Sequence, residues 1–297
     1  MRLRWLRQFV FFGIGPLLSD KTWVEFMYYS HIHKKLDLNN VQSFNEKLQW
    51  LKLYDHNPAY IKMVDKYAMK EHVASVVGWE YVIPVLGVWD SFDQIDFNCL
   101  PDQFVLKCTH DSGGVAICRS KSDFDMQEAR KILMRSLKLN YFWNGREWPY
   151  KHVKPRIIAE KYLTQDSLAD EALSASLIDY KVHCFNGTPK VILVCQNRFV
   201  DFREDFYTAD WEHLPVTRPR NRNADHPISK PKQLDQMLTI AAKLSEGIPF
   251  LRVDLYTIGD RIYVGELTFF PNGGIEPFVP PEFDLELGQL LELPKAQ

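Results

Sequence analysis

The stretch Arg252-Val-Asp-Leu-Tyr-Thr-Ile-Gly-Asp-Arg-Ile-Tyr-Val-Gly-Glu-Leu-Thr268 divides into two runs around Gly259-Asp260. Val253, Leu255, Ile258, Ile262, Tyr263 and Val264 are β-branched, aliphatic or aromatic, and the glycine-containing turn between them predicts a β-hairpin. Each run carries one carboxylate, Asp254 and Glu266. A three-residue loop over residues 259–261 would set these acids opposite each other on one face, with Cβ atoms about 5 Å apart. A two-residue loop would send them to opposite faces, because strand side chains alternate with period two. Facing carboxylates make a site for a hard cation such as Mg2+, whereas acids on a solvated strand face make none. Arg252 supplies a fixed cation before the first acid, and Pro271-Asn-Gly-Gly274 a tight backbone turn after the second. That company favours a site.

Other segments supply what a magnesium nucleotide needs. Phe104-Val-Leu-Lys-Cys-Thr-His-Asp-Ser-Gly-Gly-Val-Ala-Ile-Cys118 reads as a strand, a glycine loop and a returning strand. Alternation puts Lys107 with Val105 and Thr109 on one face, opposite Phe104, Leu106 and Cys108. Ser112, Gly113 and Gly114 lack bulky side chains and permit the positive-φ backbone of an anion nest. The loop is not a Walker loop, which needs Gly-Lys-Ser/Thr opening a helix, and a Ser-Gly-Gly hairpin also serves as a plain turn. Arg156-Ile-Ile-Ala-Glu-Lys-Tyr-Leu163 predicts a strand that by itself reads as an ordinary strand end, but whose backbone groups can meet a purine edge and whose leucine its face. Lys66, within a helical run over 58–77, and Asp179-Tyr180-Lys181, entering a strand over 182–185, add two lysines of a kind that is ordinarily solvated.

In this order the elements resemble the ATP-grasp superfamily of carboxylate–amine ligases. Ser43-Phe-Asn-Glu-Lys-Leu-Gln-Trp-Leu-Lys52, Val64-Asp-Lys-Tyr-Ala68, Val105-Leu-Lys-Cys-Thr-His-Asp-Ser-Gly-Gly114, Gly145-Arg-Glu-Trp-Pro-Tyr150 and Asp179-Tyr-Lys181 look like its TupA-like branch. That branch is named for teichuronopeptide synthesis and associated with bacterial surface polysaccharides, and the resemblance runs from about residue 40 to the C-terminus.

The resemblance implies an α/β (α+β) fold in which two subdomains, residues 65–163 and 164–297, clasp ATP behind a mainly helical segment, residues 1–64. It implies that Lys66 and Lys107 contact the phosphates and that Ser112, Gly113 and Gly114 cover them. Glu160 and the backbone of Lys161, Tyr162 and Leu163 would hold adenine, with Asp166 on the ribose. Asp254 and Glu266 would bridge Mg2+ to the phosphates. Arg252 would face an acyl phosphate, with Lys107 and Lys181 as the other catalytic cations, and Asn272, Gly273 and Gly274 would border the substrate. Thr268 stands where the superfamily usually has asparagine, so the third metal position carries a hydroxyl, a poorer donor than an amide carbonyl. Residues 1–64 are not expected to form the amino-terminal nucleotide-fold domain usual in these ligases. Instead Ser43 and Glu46 form a capping box, and Asn57-Pro58 opens a further helix that Gly78 can close.

Composition agrees with a folded enzyme: 297 residues, 46% hydrophobic and 25% charged, can bury a sizeable core. A net charge of −2 provides no field for nucleic acid, which disfavours that class of partner. The five cysteines lack C-x-x-C spacing and lie mostly in apolar strands, as thiols of a reducing compartment do. His31 and His33 alternate as strand or loop residues would, without a ligand cluster nearby. Residues 1–18 set Arg2, Arg4 and Arg7 before an apolar stretch broken by Gly13, Gly15 and Pro16, too short to span a bilayer. They read as a core-packed helix, or as a peripheral contact at the inner face of the cytoplasmic membrane. Arg218-Pro-Arg-Asn-Arg222 reads as a solvated loop or a grip on an acidic sugar.

The expectation is a cytoplasmic, ATP- and Mg2+-dependent ligase joining a uronic acid of a surface glycan precursor to an amino acid or amino sugar. The rivals are a sugar kinase on the same fold, and a glycosyltransferase or glycan-binding assembly protein.

Overall fold

The computed structural model describes residues 17–164, 177–198 and 200–295. Helix α1 (Asp20–Ile32) starts at Ser19, whose hydroxyl accepts from the Thr22 N–H, and ends at His33 in the left-handed region. His31 and His33 are therefore a helical residue and its cap, not the alternating strand or loop pair expected. Helix α2 (Phe44–Tyr54) carries the expected capping box between Ser43 and Glu46.

The helix expected over 58–77 is two helices, α3 (Ala59–Val64) and α4 (Ala68–Val76). The Asp65 carboxylate causes the break: it accepts from the N–H groups of Tyr67 at 2.9 Å and Ala68 at 3.3 Å, capping α4. Lys66 is thereby freed from the helical ladder, and its N–H donates to the Thr109 carbonyl at 3.0 Å.

A four-stranded antiparallel sheet contains β1 (Val85–Trp89), β2 (Phe104–Cys108), β3 (Val115–Cys118) and β4 (Ile157–Lys161) in the order β1-β4-β2-β3. Helix α5 (Met126–Leu137) packs Ala129 and Leu133 onto its apolar face against Phe104, Leu106 and Ile157. The alternation read from sequence holds, and Lys107 points to the other face.

A six-stranded antiparallel sheet follows: β5 (Asp179–Phe185), β6 (Thr188–Gln196), β7 (Arg203–Thr208), β8 (His213–Leu214), β9 (Phe250–Ile258) and β10 (Arg261–Thr268), in the order β10-β9-β5-β6-β7-β8. Helix α6 (Leu234–Leu244) covers one face, where Val182, Val253 and Leu255 are fully buried. Each such side chain contributes about 1.5–3 kcal/mol on leaving water. Phe44, Leu48, Met63 and Val73, from α2 to α4, join the same core, as do Phe283 and Leu287 of α7 (Glu282–Leu290). The opposite face carries Asp179, Lys181, Arg252, Asp254 and Glu266, brought side by side by the register Lys181↔Asp254↔Glu266.

That register arises differently from the three-residue loop considered above. Ile258 pairs with Arg261, so the loop is the two residues Gly259 and Asp260, and an unbroken ladder would have separated the acids. A β-bulge at Gly265 shifts the ladder by one and restores Asp254 opposite Glu266. Gly265 also permits close packing, since a Cβ there would lie 2.4 Å from the Tyr256 ring.

All five thiols are free, four buried in strands and Cys99 exposed. No helix among the described residues is long and apolar enough to cross a membrane.

Candidate active site

Between the two sheets lies a cavity of about 160 Å3, walled by Val105, Lys107 and Ile117 on one side and by Tyr256 and Arg198 on the other. Glu160, Lys161, Tyr162 and Leu163 border it. Apolar walls with strand-end backbone at the rim suit a planar base. The Glu160 carboxylate is buried and bound by Lys107 at 2.6 Å and Lys70 at 2.5 Å. Burial alone would raise its pKa; the two ammonium groups outweigh burial and hold it down at about 2. Burial likewise opposes the charge of Lys107, but Glu160 prevails and its pKa rises. Glu160 is thus an anchor for two lysines, and the groups able to reach an adenine edge are those after it. Lys70 was not singled out from sequence, because a lysine in a helix ordinarily faces water.

At the inner end, Lys66 ties the β2–β3 loop to the acids. Its Nζ donates to the Asp111 carbonyl and lies 3.9 Å from Glu266. Gly113 has φ 141, a backbone open to glycine. The N–H of Gly114, expected to face a phosphate, instead donates to the Asp111 carboxylate at 3.0 Å. Of the three loop residues expected to cover an anion, Ser112 and Gly113 remain.

Arg252 forks onto Asp254 at 2.6 and 2.8 Å and donates to the Thr268 hydroxyl at 3.1 Å. Lys181 bridges Asp254 and Asp179, the latter at 2.6 Å, and Arg198 binds Asp179 at 3.0 Å. Burial would raise the Asp254 pKa, but Arg252 and Lys181 lower it. Burial, then Arg252, lowers His183 to about 3, so that it is neutral at physiological pH. Glu266 differs: its side chain is 34% exposed and held only loosely by Lys66.

Among the described residues no group of three or more His, Cys, Asp or Glu gathers to hold a metal. Asp254 and Glu266 nevertheless fit Mg2+ in kind, as two hard oxygen donors on paired strands, with Thr268 beside them. Mg2+ commonly takes one or two protein carboxylates and completes its shell with phosphate and water. Glu266 is the accessible member of the pair.

A second cavity, about 190 Å3, opens at the Arg252 end of the array and is bordered by Lys52, Ser112, Tyr141, Glu147, Tyr150, Glu266, Thr268, Asn272 and Gly273. Asn272 and Gly273 have φ of 49 and 65, so the Pro-Asn-Gly-Gly turn directs its carbonyls inward. The Gly273 carbonyl accepts from Lys52 at 2.6 Å. Gly274, expected at the substrate, is buried beneath the turn instead, where a Cβ would lie 2.6 Å from Gln49. Burial raises the pKa of Glu147 and lowers that of Lys52, each opposed by the other's charge. Neither group was assigned a role from sequence, although both lie in the quoted motifs.

Asp166 and residues 1–16 lie outside the described residues. Arg218 is not solvated: its guanidinium forks onto the buried carboxylate of Glu204, which removes it as a grip on an acidic sugar.

Comparison with curated proteins gives no match. Among solved structures, the chain is similar to D-alanine–D-alanine ligase from Helicobacter pylori, with 16% identity over 86% of this chain and 68% of that one and a TM-score of 0.43. The corresponding Bacillus anthracis enzyme complexed with ATP gives 13%, 77%, 57% and 0.40, so the chain spans little more than half its length. An L-amino acid ligase from Bacillus licheniformis gives 10%, 87%, 55% and 0.45. The family model for TupA-like ATP-grasp proteins matches residues 46–292. That match runs from within α2 to just past α7 and takes in Lys66, Lys107, Glu160, Asp254 and Glu266, and on it the chain belongs to the TupA-like ATP-grasp family.

Proposed function

We propose that the protein is an ATP-dependent carboxylate–amine ligase of bacterial surface-polysaccharide biosynthesis, joining a uronic acid to an amino acid or amino sugar. The observation that carries this reading is the charged sheet face running between two cavities, one apolar-walled and one polar. A nucleotide lying along it would place its base between Val105, Ile117 and Tyr256 and its phosphates toward Lys107, Lys66 and residues 112–113. Asp254 and Glu266 would hold Mg2+, which neutralises phosphate charge when bound.

The reaction then follows from the position of Arg252. A substrate carboxylate oxygen attacks the γ-phosphorus, the bond to the β-phosphate oxygen breaks, and ADP leaves. The acyl phosphate so formed has its carbonyl beside Arg252, a fixed donor whose charge is kept by Asp254. The amine nitrogen attacks that carbonyl, loses its proton, and inorganic phosphate departs with the former carboxylate oxygen. Substrates filling both cavities would keep water from the acyl phosphate, which it would otherwise hydrolyse. A reaction consuming ATP runs in the cytoplasm, where surface-glycan precursors are assembled.

The test is an ATP-turnover screen of uronic acids crossed with amines, reading ADP, phosphate and amide together. The reading requires all three in equal amounts, and only with both substrates present. A phosphorylated sugar accumulating stably without amine would replace it with a kinase, and absence of ATP consumption with any pair would remove catalysis altogether.

A further inference from the structure

The cavity beyond Arg252 holds two buried groups that phosphate chemistry does not use. Glu147 follows Arg146, whose left-handed backbone (φ 55) closes the helical turn Phe142–Gly145 and directs the next residue inward. Glu147 is 5% exposed and borders the cavity, and its carboxylate has no hydrogen-bond or ion-pair partner among the described residues. Burial at such depth pushes its pKa up to about 7, and a cation arriving with a ligand would draw the group into its carboxylate form.

Lys52 is 3% exposed and stands in the same wall. It gives one N–H to the Gly273 carbonyl at 2.6 Å and another to the Gln49 side chain at 3.0 Å. An ammonium has three donors, so one remains for a ligand. Glu147 and Lys52 feel each other's charge without closing into an ion pair. Arg252 is held on Asp254 and Thr268 and is assigned to the acyl-phosphate carbonyl, so Lys52 is the cation left to meet an anion on the second substrate.

We infer that this cavity takes the amine substrate as a free α-amino acid, Glu147 receiving its ammonium and Lys52 its carboxylate. The inference rests on the ligase reading and narrows it. An amino sugar brings a cation and hydroxyl groups but no anion, and would leave the third donor of Lys52 without its match. An α-amino acid carries its ammonium and its carboxylate on one carbon, and bridges the open pair.

The experiment is calorimetric titration of the protein loaded with Mg2+ and a non-hydrolysable ATP analogue. The titrants are the proteinogenic amino acids, D-alanine and glucosamine, then the methyl ester and N-acetyl derivative of the tightest-binding amino acid. At least one free amino acid binds more tightly than glucosamine, with its ester and its N-acetyl derivative each weaker by about tenfold or more. Glu147→Gln weakens the free amino acid by a similar factor and brings it level with its N-acetyl form. Glucosamine, ester or N-acetyl derivative binding as tightly as the free amino acid overturns the inference, as does unchanged affinity in Glu147→Gln or no amino acid binding at all. The ligand comparisons use the unaltered protein and stand even if the variant does not fold. Amide formation with glucosamine alone would sink the inference and spare the ligase reading. Amino-acid binding without ATP consumption on any carboxylate would do the reverse.

Discussion

Replacing Glu160 with glutamine removes the one negative charge shared by Lys70 and Lys107. Lys70 is 3% exposed at its side chain and 2.5 Å from that carboxylate, whereas Lys107 is 23% exposed. Lys107 can turn toward water or toward Glu266, but Lys70 is left as an unmatched buried ammonium. Breaking a buried pair in this way costs about 3–5 kcal/mol, which for a chain of this size lowers the melting temperature by about 5–8 °C. The penalty comes from the stranded charge, so adding Lys70→Met to Glu160→Gln should recover roughly half of it or more, while leaving Lys107 in place. Urea unfolding of wild type, both single variants and the double variant, in the absence of nucleotide, measures the cycle. A Glu160→Gln variant within about 1 kcal/mol of wild type, or a double variant no more stable than that single one, would refute the reasoning.

Lys107→Ala should weaken ATP binding by about tenfold or more in titration calorimetry, while Glu160 keeps Lys70 as partner and circular dichroism stays unchanged. Asp254→Asn and Glu266→Gln should both abolish Mg2+-dependent turnover. Only the first should also destabilise the fold, by about 3–5 kcal/mol, since it strands the buried Arg252 while Lys181 keeps Asp179; the exposed Glu266 should cost under about 1 kcal/mol. Gly265→Ala drives a Cβ against the Tyr256 ring at the edge of the nucleotide cavity, and should raise the KM for ATP severalfold in steady-state assays. The Glu160 pKa lies near 2 when folded against 4.5 ordinarily, so its contribution, about 3 kcal/mol, is fully present above pH 4.5 and is lost as pH falls toward 2. Acid unfolding monitored by fluorescence should therefore be shallower over that window in Glu160→Gln.

Local patterns were readable without the structure. The capping box at Ser43 and Glu46, the alternation that turns Lys107 away from Phe104 and Leu106, and the hairpin carrying Asp254 and Glu266 each depend on residues close in sequence. The bulge at Gly265 was not readable, because a glycine inside a strand is compatible with a regular ladder and with a shifted one. Asp65 as a helix breaker was hidden within a continuous helical pattern. Lys70, Lys52 and Glu147 escaped for another reason: each becomes buried only when α2, α4 and the segment around residue 147 close on the sheets. A charged residue looks the same in sequence whether its surroundings are water or protein. The buried first part of β9, residues 250–255, shows the converse, since Arg252 and Asp254 interrupt an apolar run that packs under α6 on one face and meets the cleft on the other.

The central claim is that a carboxylate oxygen is carried away with phosphate. With oxygen-18 in the carboxylate of an active substrate pair, mass spectrometry of the released inorganic phosphate should find one labelled oxygen per amide formed, with the yield suppressed in Arg252→Ala. Amide formed alongside unlabelled phosphate would contradict the account.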